Sequence, residues 1–225
     1  MSEIIRAEQV GYVYQSKYQR TQALTEVTCS FEQGLVYAIT GKSGSGKSTF
    51  LSLLAGLDVP TEGSIYVEGQ DIRTMDRDRY RREQAAVIYQ AFHLFPLLTV
   101  LENVMFPMNL RKVPKKEARR RAVELLDKVG LPDALHQKMP GMISGGEQQR
   151  VAIARAMASG ARIILADEPT GNLDSQNEKN VIDLLEGMAH EEGYTVIIVT
   201  HSEKIAGTAD VVYGMLDGRL EVVRP

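Results

Sequence analysis

The chain has 225 residues, a net charge of −3, and 44% hydrophobic, 24% charged and 6% aromatic residues. That length suits one large α/β domain or two small ones, with a sizeable core. The mild acidity excludes a nucleic-acid binder that works through bulk positive charge, and no apolar run approaches the ~20 residues needed to span a bilayer.

The opening MSEIIRAEQV has no basic segment followed by an apolar core, so it does not read as a signal peptide. The expectation is a soluble protein that reaches a membrane only through a partner. The first 33 residues read as antiparallel strands, Val27 to Phe31 among them. Cys29, the single cysteine, alternates with strand neighbours and reads as a small buried apolar residue. It can close no internal disulfide, and a reducing compartment is implied. Leu35 to Thr40 is a short buried strand, followed by a glycine-rich turn and an apolar helix from Ser48 to about Leu57. Ile65 to Val67 and Ala86 to Tyr89 are further short strands.

From about Thr99 to Ser159 the chain becomes helix-rich. Lys115 to Val129 is an amphipathic helix bounded by Pro114 and Gly130. Strands return at Arg162 to Ala166 and Thr195 to Thr200, with Ser175 to Glu192 as the crossover helix between them. Val211 to Val223 reads as a hairpin turning at Asp217-Gly218. This alternation predicts a single α/β domain over residues 1–225. Its core sheet is mostly parallel, an antiparallel β layer opens the chain, and a helical part over roughly 91–160 is inserted.

Gly41-Lys42-Ser43-Gly44-Ser45-Gly46-Lys47-Ser48 fits G-x-x-x-x-G-K-[ST] and lies between a strand and a helix. A helix start offers unpaired N–H groups and a favourable dipole to polyphosphate. Glycines let the backbone wrap closely around the phosphates. Lys47 supplies a point charge to the β and γ phosphates, and the Ser48 hydroxyl a ligand for Mg²⁺. Thr49 completes the candidate ATP-binding run. Lys42 stands where a small residue or proline is expected; it either adds positive charge near the phosphates or faces solvent.

Ile163 to Ala166 is apolar and ends in Asp167-Glu168. Adjacent carboxylates at one strand end point in different directions, which suits two roles. Asp167 is assigned to Mg²⁺, through water, and Glu168 to the general base. Ser144-Gly145-Gly146-Glu147 opens a second helix and forms a second anion-binding end. One ATP does not need two such ends in one subunit. The simplest solution is a second copy, whose nucleotide this loop closes over.

Ile143-Ser144-Gly145-Gly146-Glu147 resembles the Leu-Ser-Gly-Gly-Gln motif of the ATP-binding cassette family, with Ile for Leu and Glu for Gln. Glu147 puts a carboxylate where that motif meets nucleotide. The resemblance covers essentially the whole chain, and it implies an ATPase subunit of a membrane transporter that works as an ATP-sandwiching homodimer at the cytoplasmic face of the membrane. It implies further roles. Gln90 would ligate Mg²⁺ and sense the γ-phosphate. Phe92 to Leu98 would receive a permease. His201 would contact the γ-phosphate and help hold Glu168 and the attacking water. Asp174, in Gly171-Asn172-Leu173-Asp174, would touch the other copy's site while also capping the helix from Ser175. Tyr14 would stack on adenine, with Tyr12 and Tyr18 as competitors.

Leu165 to Ser175 and Pro96 to Val104 resemble ATPases of the lipoprotein-release and macrolide-exporter type, which pair with FtsX-like permeases. The implied cargo is a peptide, a lipoprotein or a hydrophobic drug. The alternative is a soluble cassette protein acting on nucleic acid or ribosomes. Such relatives carry two cassettes or a long coiled-coil insertion, and neither is present here, so no nucleic-acid partner is expected. No Asn-Lys-x-Asp guanine motif occurs either. The basic runs at Arg77 to Arg82 and Arg111 to Arg121 read as solvated helix faces, with contact to an anionic membrane surface as the alternative.

Overall fold

The computed structural model describes residues 2–16 and 19–225. Two 13-residue strands, β1 (Glu3–Gln15) and β2 (Arg20–Glu32), pair antiparallel. They are joined by β4 (Glu62–Val67) and β5 (Gln70–Asp71) in a four-stranded sheet ordered β2-β1-β4-β5. The second sheet has the order β10-β9-β3-β8-β7-β6. Its members are β3 (Val36–Thr40), β6 (Ala85–Tyr89), β7 (Ile163–Asp167), β8 (Thr195–Thr200), β9 (Val211–Leu216) and β10 (Arg219–Arg224). All its pairings are parallel except that of β10 with β9.

The parallel strands are apolar through their middles because both faces are covered. Alternation sorts their side chains between two cores. Ile163, Leu165, Ile197 and Val199 pack with Ile5, Phe31 and Phe50, between this sheet and the antiparallel one. Ile164, Ala166, Val196 and Ile198 pack with Val104, Leu126, Val151 and Leu185 on the opposite face. Helix α1 (Lys47–Leu54) belongs to the first core. Helices α3 (Val100–Leu110), α4 (Lys115–Lys128), α5 (Gly145–Ala158) and α6 (Ser175–His190) belong to the second. Two short helices, α2 (Arg77–Glu83) and α7 (Glu203–Thr208), complete the set.

Several expected boundaries shift. Helix α1 ends at Leu54 rather than near Leu57, because Gly56 turns left-handed at φ +65° under the Tyr80 ring. Cys29 is half-buried rather than buried, although desolvation still pushes its thiol pKa up. Within the basic runs, Arg79, Arg81, Arg82, Arg120 and Arg121 pair with acidic neighbours on the helix surfaces. Arg111 is exposed as expected, but its guanidinium also donates to the Ser159 carbonyl (2.6 Å) and lies close to where a Cβ on Gly160 would sit.

One buried amide fixes the segment before α3. Asn103 is fully buried. Its Oδ1 accepts from Phe95 N (2.8 Å), and its Nδ2 donates to the carbonyls of Phe95, Leu98 and Thr99 (3.1, 3.0 and 3.0 Å). These bonds hold the 95–99 turn, and Thr99 with Glu102 then forms a capping box at the helix start. Replacing Asn103 with Leu removes the partner of an inward-facing N–H and several carbonyls. The expected cost is ~3 kcal/mol, read as a lower urea midpoint at unchanged m value. An unchanged midpoint would contradict this role.

Candidate functional site

The carboxyl ends of β3, β7 and β8 face one cleft of about 680 Å³, the position at which open parallel sheets bind ligands. The turn after β3 supplies its floor. Gly41 and Gly46 take φ of +154° and +109°. A Cβ on Gly41 would lie 2.3 Å from the Met215 carbonyl, and one on Gly46 would lie 2.6 Å from the Ala23 carbonyl. Only glycine lets the loop press that closely on β2 and β9. Gly218, at the β9–β10 turn, closes the contact: its N–H donates to the Ser45 carbonyl (2.9 Å), and its carbonyl accepts from Thr25 N (2.8 Å).

Lys47 is buried, and its Nζ donates to the Gly41 and Lys42 carbonyls (2.8 and 2.9 Å), which centres the ammonium in the loop. Ser43, Gly44, Ser48 and Thr49 line the cleft with these residues. Ser45 does not; its side chain is buried beneath the loop. Lys42 is exposed on the cleft wall. Tyr14 also lines it, 51% exposed, with its hydroxyl 3.1 Å from Thr49 Oγ1. Tyr12 is instead tied to Asp58, which pushes its phenol up to about 12. Tyr18 lies outside the described residues.

Asp167 and Glu168 separate as their neighbouring positions require. The Ser48 hydroxyl donates to Asp167 Oδ1 (3.3 Å). Burial raises the Asp167 carboxyl above its ordinary range and nearby Glu168 adds to this, while the Ser48 bond and Lys47 oppose it. Glu168 adopts φ +48°, a left-handed conformation costly for a long side chain. His201 Nδ1 lies 2.8 Å from Glu168 Oε1, and since a carboxylate only accepts, Nδ1 carries the proton. Glu168 Oε2 accepts from the Thr200 hydroxyl and the His201 N–H, each at 3.3 Å.

A hard oxygen set fits Mg²⁺ here. The Ser48 hydroxyl and Asp167 carboxylate already touch, the Gln90 amide lines the same cleft, and Asp167 has no ion-pair partner among the described residues. Gln90 is held by Asn172: its Nε2 donates to Asn172 Oδ1 (3.4 Å), and its carbonyl accepts from Asn172 Nδ2 (3.3 Å). A Cβ on Gly171 would lie 2.7 Å from Gln90 Nε2.

Ser144, Gly145, Gly146, Glu147 and Asp174 are absent from the lining of this cleft. Ser144 caps α5, accepting from Glu147 N at 3.3 Å, while Glu147 Oε2 accepts from Ser144 N at 2.7 Å. The Glu147 carboxylate is therefore folded onto its own helix start, and the Ser144 N–H is the main cause of its lowered pKa. Asp174 caps α6 through Gln176 N and Asn177 N (3.1 and 2.9 Å). Asn177 links the two helix starts. Its amide donates to Asp174, its oxygen accepts from Arg150, and its side chain occupies the space beside Gly146.

Sequence reasoning did not select Thr21, Gln22 and Ala23, which also line the cleft; strand residues of this kind carry no motif. Nor did it select Asn172 as the partner of Gln90, although Asn172 lies inside a quoted motif. A second groove of about 560 Å³ lies between α2, α3 and α5, and includes Leu57, Arg81, Phe95, Phe106, Leu110 and Arg155. No helix among the described residues is long and apolar enough to cross a membrane.

A family model for ABC transporters matches residues 24–171. An uncharacterized ABC transporter ATP-binding protein of Mycobacterium tuberculosis is 42% identical over 220 residues, covering 96% of this chain and 88% of that protein. The macrolide export ATP-binding/permease protein MacB of Brucella melitensis is 40% identical over 220 residues, which is 96% of this chain but only 34% of MacB. Among solved structures, the dimeric post-hydrolysis state of the ATP-binding cassette MJ0796, bound to ADP and Pi, superposes with a TM-score of 0.90 at 36% identity, covering 99% of this chain and 100% of that one.

The raised Asp167 pKa gives a signed prediction. A carboxyl raised by folding costs no stability when protonated in both states. The cost grows as pH rises through its unfolded and then its folded value. Asp167→Asn keeps an acceptor for Ser48 and removes the charge. The variant is expected to melt above the parent at pH 7.5, with the gap closing towards pH 4. A gap that widens on acidification would refute the desolvation argument.

Proposed function

The chain belongs to the ABC transporter family as an ATP-hydrolysing cassette, and on that premise we propose that two copies close around two MgATP and drive an FtsX-like permease, exporting or extracting a peptide, lipoprotein or hydrophobic drug. The observation that carries this reading is a separation. One chain holds two helix starts suited to phosphate, at Lys47 and Gly145, yet the second stands outside the cleft built around the first. A second copy resolves it: Ser144, Gly145, Gly146 and Asp174 then face the partner's nucleotide. The dimeric state of the MJ0796 cassette supports the same arrangement.

Within each cleft, Tyr14 stacks on adenine and the loop N–H groups from Gly41 to Thr49 surround the phosphates. Ser48, Gln90 and, through water, Asp167 would hold Mg²⁺, which neutralises charge on the β and γ oxygens when bound. Glu168 takes the proton of the attacking water as its oxygen bonds to the γ phosphorus and the bond to ADP breaks. His201, donating through Nδ1, keeps one Glu168 oxygen fixed, and its Nε2 is left to meet the γ-phosphate in the cleft that the residue lines.

The permease is assigned to the groove at Phe95, beside the 92–98 segment. Leu97 there is 88% exposed, and Leu110 on the groove wall is 56% exposed, so the surface is apolar where a partner must cover it. MacB, whose name records an ATP-binding/permease protein, supports a permease partner of that kind. This reading puts the chain on the cytoplasmic face of the membrane, as a peripheral subunit without nucleic acid.

Glu168→Gln is expected to slow hydrolysis by roughly 10²–10⁴ and to elute as an ATP-dependent dimer in gel filtration. A variant that stays monomeric at saturating MgATP would remove the sandwich. Ser144→Arg is expected to bind MgATP with parental affinity by calorimetry and to lose turnover, because that residue acts on the other copy's nucleotide. Parental turnover in a preparation carrying the change in every chain would refute the assignment.

A further inference from the structure

Arg155 lies three residues from the end of α5 with its side chain partly buried on the groove wall, and it forms no ion pair among the described residues. Desolvation lowers its pKa. A partly buried guanidinium without a carboxylate is costly to desolvate unless its donors are well used. Here they are spent on two adjacent carbonyls: NH1 donates to His93 O (2.6 Å) and NH2 to Phe92 O (3.0 Å). The guanidinium also lies 5.8 Å from the centre of the Phe95 ring.

The turn it grips is unusual. Phe92 and His93 both adopt left-handed conformations, at φ +60° and +46°. Two consecutive non-glycine residues in that region are strained and persist only where something over-determines them. Gln90 stands two residues before this turn, and Phe95 of the groove two after it. The other end of α5 is Ser144. At 1.5 Å per residue, Gly145 and Arg155 are about 15 Å apart on one continuous helix.

We propose that Arg155 is a positioning residue that fastens the 92–95 turn to α5, so that closure of the helix start at Ser144 on the partner's nucleotide displaces the groove residue Phe95 with it. This rests on the two-copy reading above. A fork of two parallel N–H donors suits the task because it fixes both distance and orientation, which a single ammonium cannot. Arg155 touches neither the nucleotide cleft nor its lining residues Asp167 and Glu168, so it acts through the turn alone.

The test uses a reporter the chain leaves free, since it contains no tryptophan. Phe95→Trp is introduced into the Glu168→Gln protein, and dimerisation and emission are followed together as MgATP is added. With Arg155 present, the dimer is expected to form and the emission maximum to shift. With Arg155→Met, the dimer is expected to form at the same nucleotide concentration with the shift lost. Should the Met variant fail to fold, Arg155→Lys carries the same test. An equal shift without the guanidinium, or a dimer without any shift in its presence, overturns the proposal. Absence of the dimer with Arg155 intact overturns the two-copy reading instead.

Discussion

The site depends on a lack of space. At Gly41 and Gly46 a single additional carbon would collide with the carbonyls of Met215 and Ala23. The loop between them is pressed on two sides by backbone, from β2 and from the terminal hairpin. Phosphate binding by N–H groups requires those groups to be already aimed when the ligand arrives. Rigid neighbours supply that aim, so the two outlying strand systems are part of the site although none of their side chains reacts. This explains why a hairpin at the chain's end and strands at its start converge on residues 41–46.

A second set of contacts ties the remaining loops into one body. Asn172 joins Gln90 to the segment before α6, Asp174 and Asn177 join that segment to Gly146, and Arg155 joins α5 back to the turn after Gln90. Each link is a short polar side chain or a guanidinium acting on backbone or amide groups, with geometry specified by hydrogen-bond direction rather than by bulk packing.

Much of this was legible beforehand because it is local. The loop at Gly41, the carboxylate pair at Asp167, the capped start at Ser144 and the hairpin at Asp217-Gly218 are contiguous in sequence, with chemistry set by neighbours. The apolar runs of β3, β7 and β8 announced strands covered on both faces. What stayed hidden is long-range. Thr21 to Ala23 look like any exposed strand until β2 is laid along the loop. Asn103 looks like a surface amide inside an apolar helix until its four partners are seen. Arg155 looks like one more basic residue on a helix, and Glu147 like a carboxylate free to meet nucleotide, because whether a polar side chain turns inward depends on what packs above it. Gly56 ended α1 early through a left-handed turn that periodicity does not register.

Glu168 sits at φ +48°. The backbone at this position prefers Gly, Asn or Asp, and a stability optimum would put one of them there. The fold thus carries a standing bias towards loss of its own proposed base. Copies so altered would remain well folded and escape the quality control that removes unstable chains. In the proposed two-copy machine such survivors would not be neutral passengers: each would occupy a place beside a working partner and take that partner out of turnover with it.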